Sequence, residues 1–121
     1  MDFLIIYEKN RKVIGEVEFL KAVSNIKGIT NIHQEKDERS VVSVDFQYEN
    51  SFTVIRLSED LDSFSIWKKS DASLYFAWAI NQYLSPNFNL YVTDSDYNFD
   101  LNINKIMSLE DFRKIILEDH L

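Results

Sequence analysis

Val42-Ser43-Val44-Asp45-Phe46-Gln47-Tyr48, the turn Glu49-Asn50-Ser51 and the return Phe52-Thr53-Val54-Ile55-Arg56-Leu57 decide the fold. In the first run apolar side chains occupy every second position. Successive side chains of a strand point to opposite faces, so this pattern describes a strand with one buried face. The polar triplet is a turn, and the second run is rich in β-branched and aromatic residues. Together they predict a β-hairpin whose core side carries Val42, Val44, Phe46, Val54, Ile55 and Leu57.

The pattern extends outward from that hairpin. Upstream, Phe3 to Tyr7 reads as a short buried strand and Ile29 to Gln34 as another. Between them Glu16 to Ile26 reads as a helix, with Val17, Leu20 and Val23 on one face and Phe19 and Ile26 beside it. Acids in its first turn suit the helix dipole, and Gly28 fits the residue just past its end. Downstream, Phe64 to Trp67 reads as a strand. Asp71 to Leu84 is the strongest helix, capped by Ser70 or Asp71 and stopped by Pro86. Leu90-Tyr91-Val92 and the alternating set Phe99, Leu101 and Ile103 read as further strands. Ser108 opens a last helix with Leu109, Phe112 and Ile116 as its apolar face. The order of elements predicts a single α+β domain over residues 1–121: a mostly antiparallel sheet packed with about three helices.

Composition agrees. A chain of 121 residues, 45 % of them hydrophobic, suits one domain with a core of its own. There are no cysteines, which excludes disulfides, thiolate metal sites and cysteine nucleophiles. The only apolar run near the start, Phe3 to Tyr7, has no basic residue before it, so it does not make a signal peptide. No apolar stretch approaches a membrane-spanning length. A soluble, cytoplasmic protein is expected. A net charge of −7 argues against direct binding to nucleic-acid phosphate and against docking on an anionic membrane.

The charge is unevenly placed. Residues 1–57 hold nine acids and eight bases, whereas residues 58–121 hold eleven acids and five bases. Two acidic clusters stand out: Glu59-Asp60-Leu61-Asp62, and Asp94-Ser95-Asp96-Tyr97-Asn98-Phe99-Asp100. A one-sided acidic surface with interleaved aromatics suits a basic partner, because complementary fields raise association rates. Such loops also serve simply to keep a small protein soluble. The residues expected to meet a partner are Glu59, Asp60, Asp62, Asp94, Asp96 and Asp100, with Tyr97 as an apolar anchor.

Motifs for chemistry are missing. Asp94-Ser95-Asp96-Tyr97-Asn98 starts like a calcium loop, but that loop needs Gly at its sixth position and Glu at its twelfth. Here those are Phe99 and Lys105. His33-Gln34-Glu35 has the spacing of a zinc-deaminase pair but lacks the two cysteines that complete the site. There is no nucleophile elbow, phosphate-cradling loop or dinucleotide fingerprint, since Gly15 and Gly28 are the only glycines. No catalytic residue, cofactor or metal is expected. The helix Asp71 to Leu84 is apolar on more than one side, the usual mark of burial between layers. The alternative is that its Tyr75 and Trp78 belong to a partner surface.

The aromatic helix, the segment Leu90-Tyr91-Val92-Thr93-Asp94-Ser95-Asp96-Tyr97-Asn98-Phe99-Asp100-Leu101 and then Ser108-Leu109-Glu110-Asp111-Phe112 resemble small bacterial immunity proteins, particularly those of contact-dependent growth inhibition and related polymorphic toxin systems. The resemblance spans residues 70–121. It implies a cytoplasmic protein that is not an enzyme and that binds one toxin domain tightly to block it. A basic nuclease, its active site occluded by carboxylates, fits the charge. The second reading is a small acidic adaptor or subunit of a larger protein assembly. Self-association remains open under either.

Overall fold

The computed structural model describes residues 3–35, 40–67, 70–84, 87–94, 100–103 and 108–119. In chain order the elements are β1 (Phe3–Glu8), α1 (Glu16–Ser24), β2 (Ile29–Glu35), β3 (Ser40–Tyr48), β4 (Ser51–Ser58), β5 (Ser63–Trp67), α2 (Asp71–Leu84), β6 (Leu90–Asp94), β7 (Asp100–Asn102) and α3 (Leu109–Asp119). The strands form one seven-stranded sheet in the order β2-β3-β4-β5-β1-β6-β7. Every neighbouring pair is antiparallel. The α+β architecture expected from the sequence is the one observed.

Pleating gives the sheet two unlike faces. Leu4, Ile6, Val42, Val44, Phe46, Ile55, Leu57, Phe64 and Ile66 point one way and are buried. The helices pack on this side, where Phe19 of α1, Phe76 of α2 and Phe112 of α3 join the same core. Phe46 stacks on Phe76 at 5.0 Å and Phe19 tilts against Phe64 at 5.7 Å, distances at which aromatic pairs attract beyond their buried area. The hairpin forms as expected, with Val44 opposite Ile55 and Phe46 opposite Thr53. One core residue differs. Val54 faces away from the helices, because Thr53, Ile55 and Leu57 take the inward positions of β4. Thr53 tolerates burial because its hydroxyl is 2.7 Å from the Trp67 carbonyl and 2.8 Å from Ser73 Oγ.

The helices follow the expected caps in part. Ser70 Oγ accepts the Ser73 N–H and Ser108 Oγ accepts the Asp111 N–H, so serine starts α2 and α3. α1 ends earlier than expected, at Ser24, with Asn25 as its C-cap. Gly28 therefore sits in the following turn, at a φ of 90° that suits glycine. The buried face of α1 is Phe19, Ala22 and Val23, and Val17 is exposed. α2 lies between α1 and α3 across β3, β4 and β5. Its Tyr75 stacks on Tyr48 at 4.2 Å and donates to the Lys27 carbonyl. Trp78 is half-buried, and both aromatics pack against the core. The helix is buried toward the sheet and its neighbouring helices and not between two layers, since Gln82 and Tyr83 on its outer side are exposed. No helix among the described residues is long and apolar enough to cross a membrane.

Candidate functional site: the uncovered face of the sheet

Among the described residues no helix packs on the other face of the sheet. Phe3, Ile5 and Tyr7 of β1 point outward there, half-buried. Register places Ser63, Ser65 and Trp67 of β5 beside Tyr7, Ile5 and Phe3 respectively. Arg56 of β4 stands opposite Ser65 on the other side. Beyond β1, Thr93 stands opposite Ile5 and Asp100 opposite Thr93. Phe52, 50 % exposed, sits edge-on to Trp67 with ring centroids 6.5 Å apart.

Acids gather at one end of this face. The turn Glu59-Asp60-Leu61-Asp62 joins β4 to β5, with the Leu61 N–H donating to the Ser58 carbonyl. It is fastened to the β1–α1 connection, because the Leu61 carbonyl accepts the Ile14 N–H and the Asp62 carbonyl accepts the Glu8 N–H. Asp60 and Asp62 are thereby carried to the end of β1. Asp100 arrives from β7 on the far side, and the Tyr7 hydroxyl donates to its Oδ1 at 2.5 Å. Burial and then this bond raise the Tyr7 phenol well above its ordinary range, so it remains a donor at physiological pH. Tyr7, Asp60, Asp62 and Asp100 line one hollow of about 550 Å³. Asp100, far from Asp60 and Asp62 in sequence, thus meets them in space.

The end is not purely acidic. Lys9 and Arg11 line the same hollow. Arg11 Nε lies 3.6 Å from Asp62, and Lys9 Nζ sits 4.9 Å from the Tyr91 ring centroid. The uneven charge of the two halves gave no sign of this, because both bases come from the first half. Beneath them Glu8 is buried, facing the core side. Its Oε1 accepts the N–H groups of Asn10 at 2.7 Å and Lys12 at 3.3 Å, and its Oε2 accepts that of Asn89 at 2.5 Å. One carboxylate so joins two connections that flank the hollow. No local pattern in the sequence marks Glu8 as buried.

The remaining expected partner residues divide three ways. Asp94 is a correction: it stands opposite Leu4 on the helix-covered side and is 1 % exposed, so it presents no carboxylate to solvent. The parity of β6 decides this, since Asp94 shares the inward side with Leu90 and Val92. Glu59 is exposed but does not line the hollow. Asp96 and Tyr97 lie outside the described residues, as does His120. His33 is exposed at the edge of the sheet, 2.9 Å from Glu35. Its pKa is raised by that bond and then by Asp45. Among the described residues no group of three or more His, Asp or Glu side chains is arranged to hold a metal ion.

Comparison with protein-family models gives no match, and neither curated proteins nor solved structures match the chain.

Proposed function

We propose that this chain is an immunity protein that binds a basic toxin domain in the cytoplasm and neutralises it by covering its active site. The observation that carries the reading is the meeting of Asp60, Asp62 and Asp100 at one end of a sheet face that no helix among the described residues covers. Exposed carboxylates beside aromatic side chains provide both long-range attraction and buried anchoring area. A nuclease cleft shaped for phosphate is electropositive, so a surface of this kind competes with its substrate. Inhibition by occlusion requires no catalytic group, cofactor or metal of the inhibitor. The adaptor reading takes the aromatic helix α2 as its interface, where Tyr75 and Trp78 pack against the core, and gives no role to the acids.

Co-expression tests the proposal. The gene is expressed with the toxin domain encoded beside it, and cell survival is scored. Unmodified protein should protect. A variant with Asp60, Asp62 and Asp100 all changed to Asn should fold and protect poorly. If the unmodified protein rescues no cell from the neighbouring toxin, the immunity reading fails and the adaptor reading replaces it.

A further inference from the structure

The uncovered face has a shape as well as a charge. Along β5 the outward side chains are Ser63, Ser65 and Trp67, two of them small. On one side rises the row Phe3, Ile5, Tyr7 and on the other the row Phe52, Val54, Arg56. The small serines make a floor and the larger rows make walls. Three hollows follow one another along this floor, of about 550, 340 and 370 Å³. The middle one shares Ile5 and Ser63 with the acidic end, and Phe3, Arg56 and Ser65 with the aromatic end. They form one continuous trough.

Its dimensions choose the occupant. The walls stand on strands two places apart, so their backbones are roughly 9.6 Å from each other. A helix with its side chains is about 10–12 Å across and is too wide to lie between them. An extended chain, which packs beside its neighbours at roughly 4.8 Å, fits. From Tyr7 to Phe3 is four residues along the strand, or about 13 Å. In an extended segment the side chains at positions i and i+4 share a face at the same separation.

We propose that the trough takes an extended segment of a protein partner, with an Arg or Lys side chain seated beside Asp60 and Asp100, next to the Arg11–Asp62 pair, and an apolar side chain four residues away seated among Phe3, Phe52 and Trp67. The proposal deepens the reading above and rests on it for the partner's basic character. Charge also decides against a second copy of the chain, whose net charge of −7 would bring like charge to the same end.

The test uses two synthetic peptides of one composition and the full-length, isotope-labelled protein. Acetyl-Arg-Thr-Ser-Thr-Leu-amide places its cation and its apolar side chain on one face. Acetyl-Arg-Thr-Ser-Leu-Thr-amide turns the leucine to the other face, since a one-residue shift reverses a strand side chain. In an NMR titration the first should move the amide signals of Ile5, Ser63 and Ser65 and the indole signal of Trp67. The second should bind about tenfold more weakly, the loss expected when one leucine side chain stays in water. Ser65→Phe fills the floor from the outward face and should abolish the shifts while leaving the melting temperature near that of the parent. Equal binding of the two peptides, shifts centred on β2 or the helices, or no shift at the solubility limit would overturn the trough. Concentration-dependent shifts of Phe3 and Trp67 without peptide would overturn it too, in favour of a second copy. Protection by Ser65→Phe in the co-expression assay would also overturn it and leave the immunity reading intact. Failure of the unmodified protein to protect would leave the peptide result standing.

Discussion

Replacing Glu8 with Ala should cost more stability than any exposed acid in the chain. Glu8 is 3 % exposed, and its carboxylate accepts three backbone N–H groups. The bonds to Asn10 at 2.7 Å and to Asn89 at 2.5 Å are short, and the one to Lys12 at 3.3 Å is marginal. A hydrogen bond to a charged group contributes about 1.5–3 kcal/mol, so the two short ones supply roughly 3–6 kcal/mol. Removing the carboxylate also removes the cost of burying it, which offsets part of that loss. A net destabilisation of about 3 kcal/mol follows from these opposing effects. With an unfolding entropy near 2.1 cal/mol/K per residue, that corresponds to a fall of roughly 12 °C in melting temperature. Glu8→Gln keeps one carbonyl acceptor but turns an NH₂ toward a backbone donor, so about half the loss is expected. Urea and thermal denaturation at neutral pH measure both variants, and amide exchange at Asn10 and Asn89 reports the local effect. A Glu8→Ala variant within about 0.5 kcal/mol of the parent would refute the clamp, because that is the range of an ordinary surface change.

Further outcomes are expected elsewhere. Ile55→Ala should cost about 2–5 kcal/mol whereas Val54→Ala should cost far less, since adjacent residues of β4 face the core and the open side; similar losses in urea melts would contradict that assignment. With the proposed basic toxin partner, the variant with Asp60, Asp62 and Asp100 changed to Asn should associate more slowly and with weaker salt dependence, because steering acts on the on-rate. Stopped-flow binding checks this, and an unchanged on-rate would remove the acids from the encounter. The His33 titration midpoint, followed by NMR, should lie above the ordinary value of 6.5 and fall in Glu35→Gln. Because the folded value is raised, this pair stabilises the fold fully below pH 6.5, and its contribution disappears as pH rises through the folded midpoint. A midpoint at or below 6.5 would show that the bond to Glu35 does not persist in solution.

Local sequence alone determined the α+β class, the β3–β4 hairpin, helix α2 and the cap at Ser108, and it narrowed the α2 cap to Ser70 or Asp71, of which the structure uses Ser70. Those features depend on side chains close in sequence: alternation for a pleated strand, a hydroxyl within reach of an amide three residues on. Tertiary structure decided which side of each strand the helices cover. A strand's alternation defines two sides but does not say which meets a helix, and β4 offered apolar residues on both. The inward turn of Thr53, Ile55 and Leu57 sent Val54 outward, and the same parity buried Asp94 while leaving Asp100 exposed. Tertiary structure also made the candidate site. The acidity of both segments is written in the sequence, but the meeting of Asp60 and Asp62 with Asp100 is not. It requires β1 to sit between β5 and β6, an arrangement that forms only through pairing between strands some 60 to 90 residues apart. The same pairing delivers Lys9, Arg11 and the buried Glu8 to that end of the sheet, where no local pattern announces them.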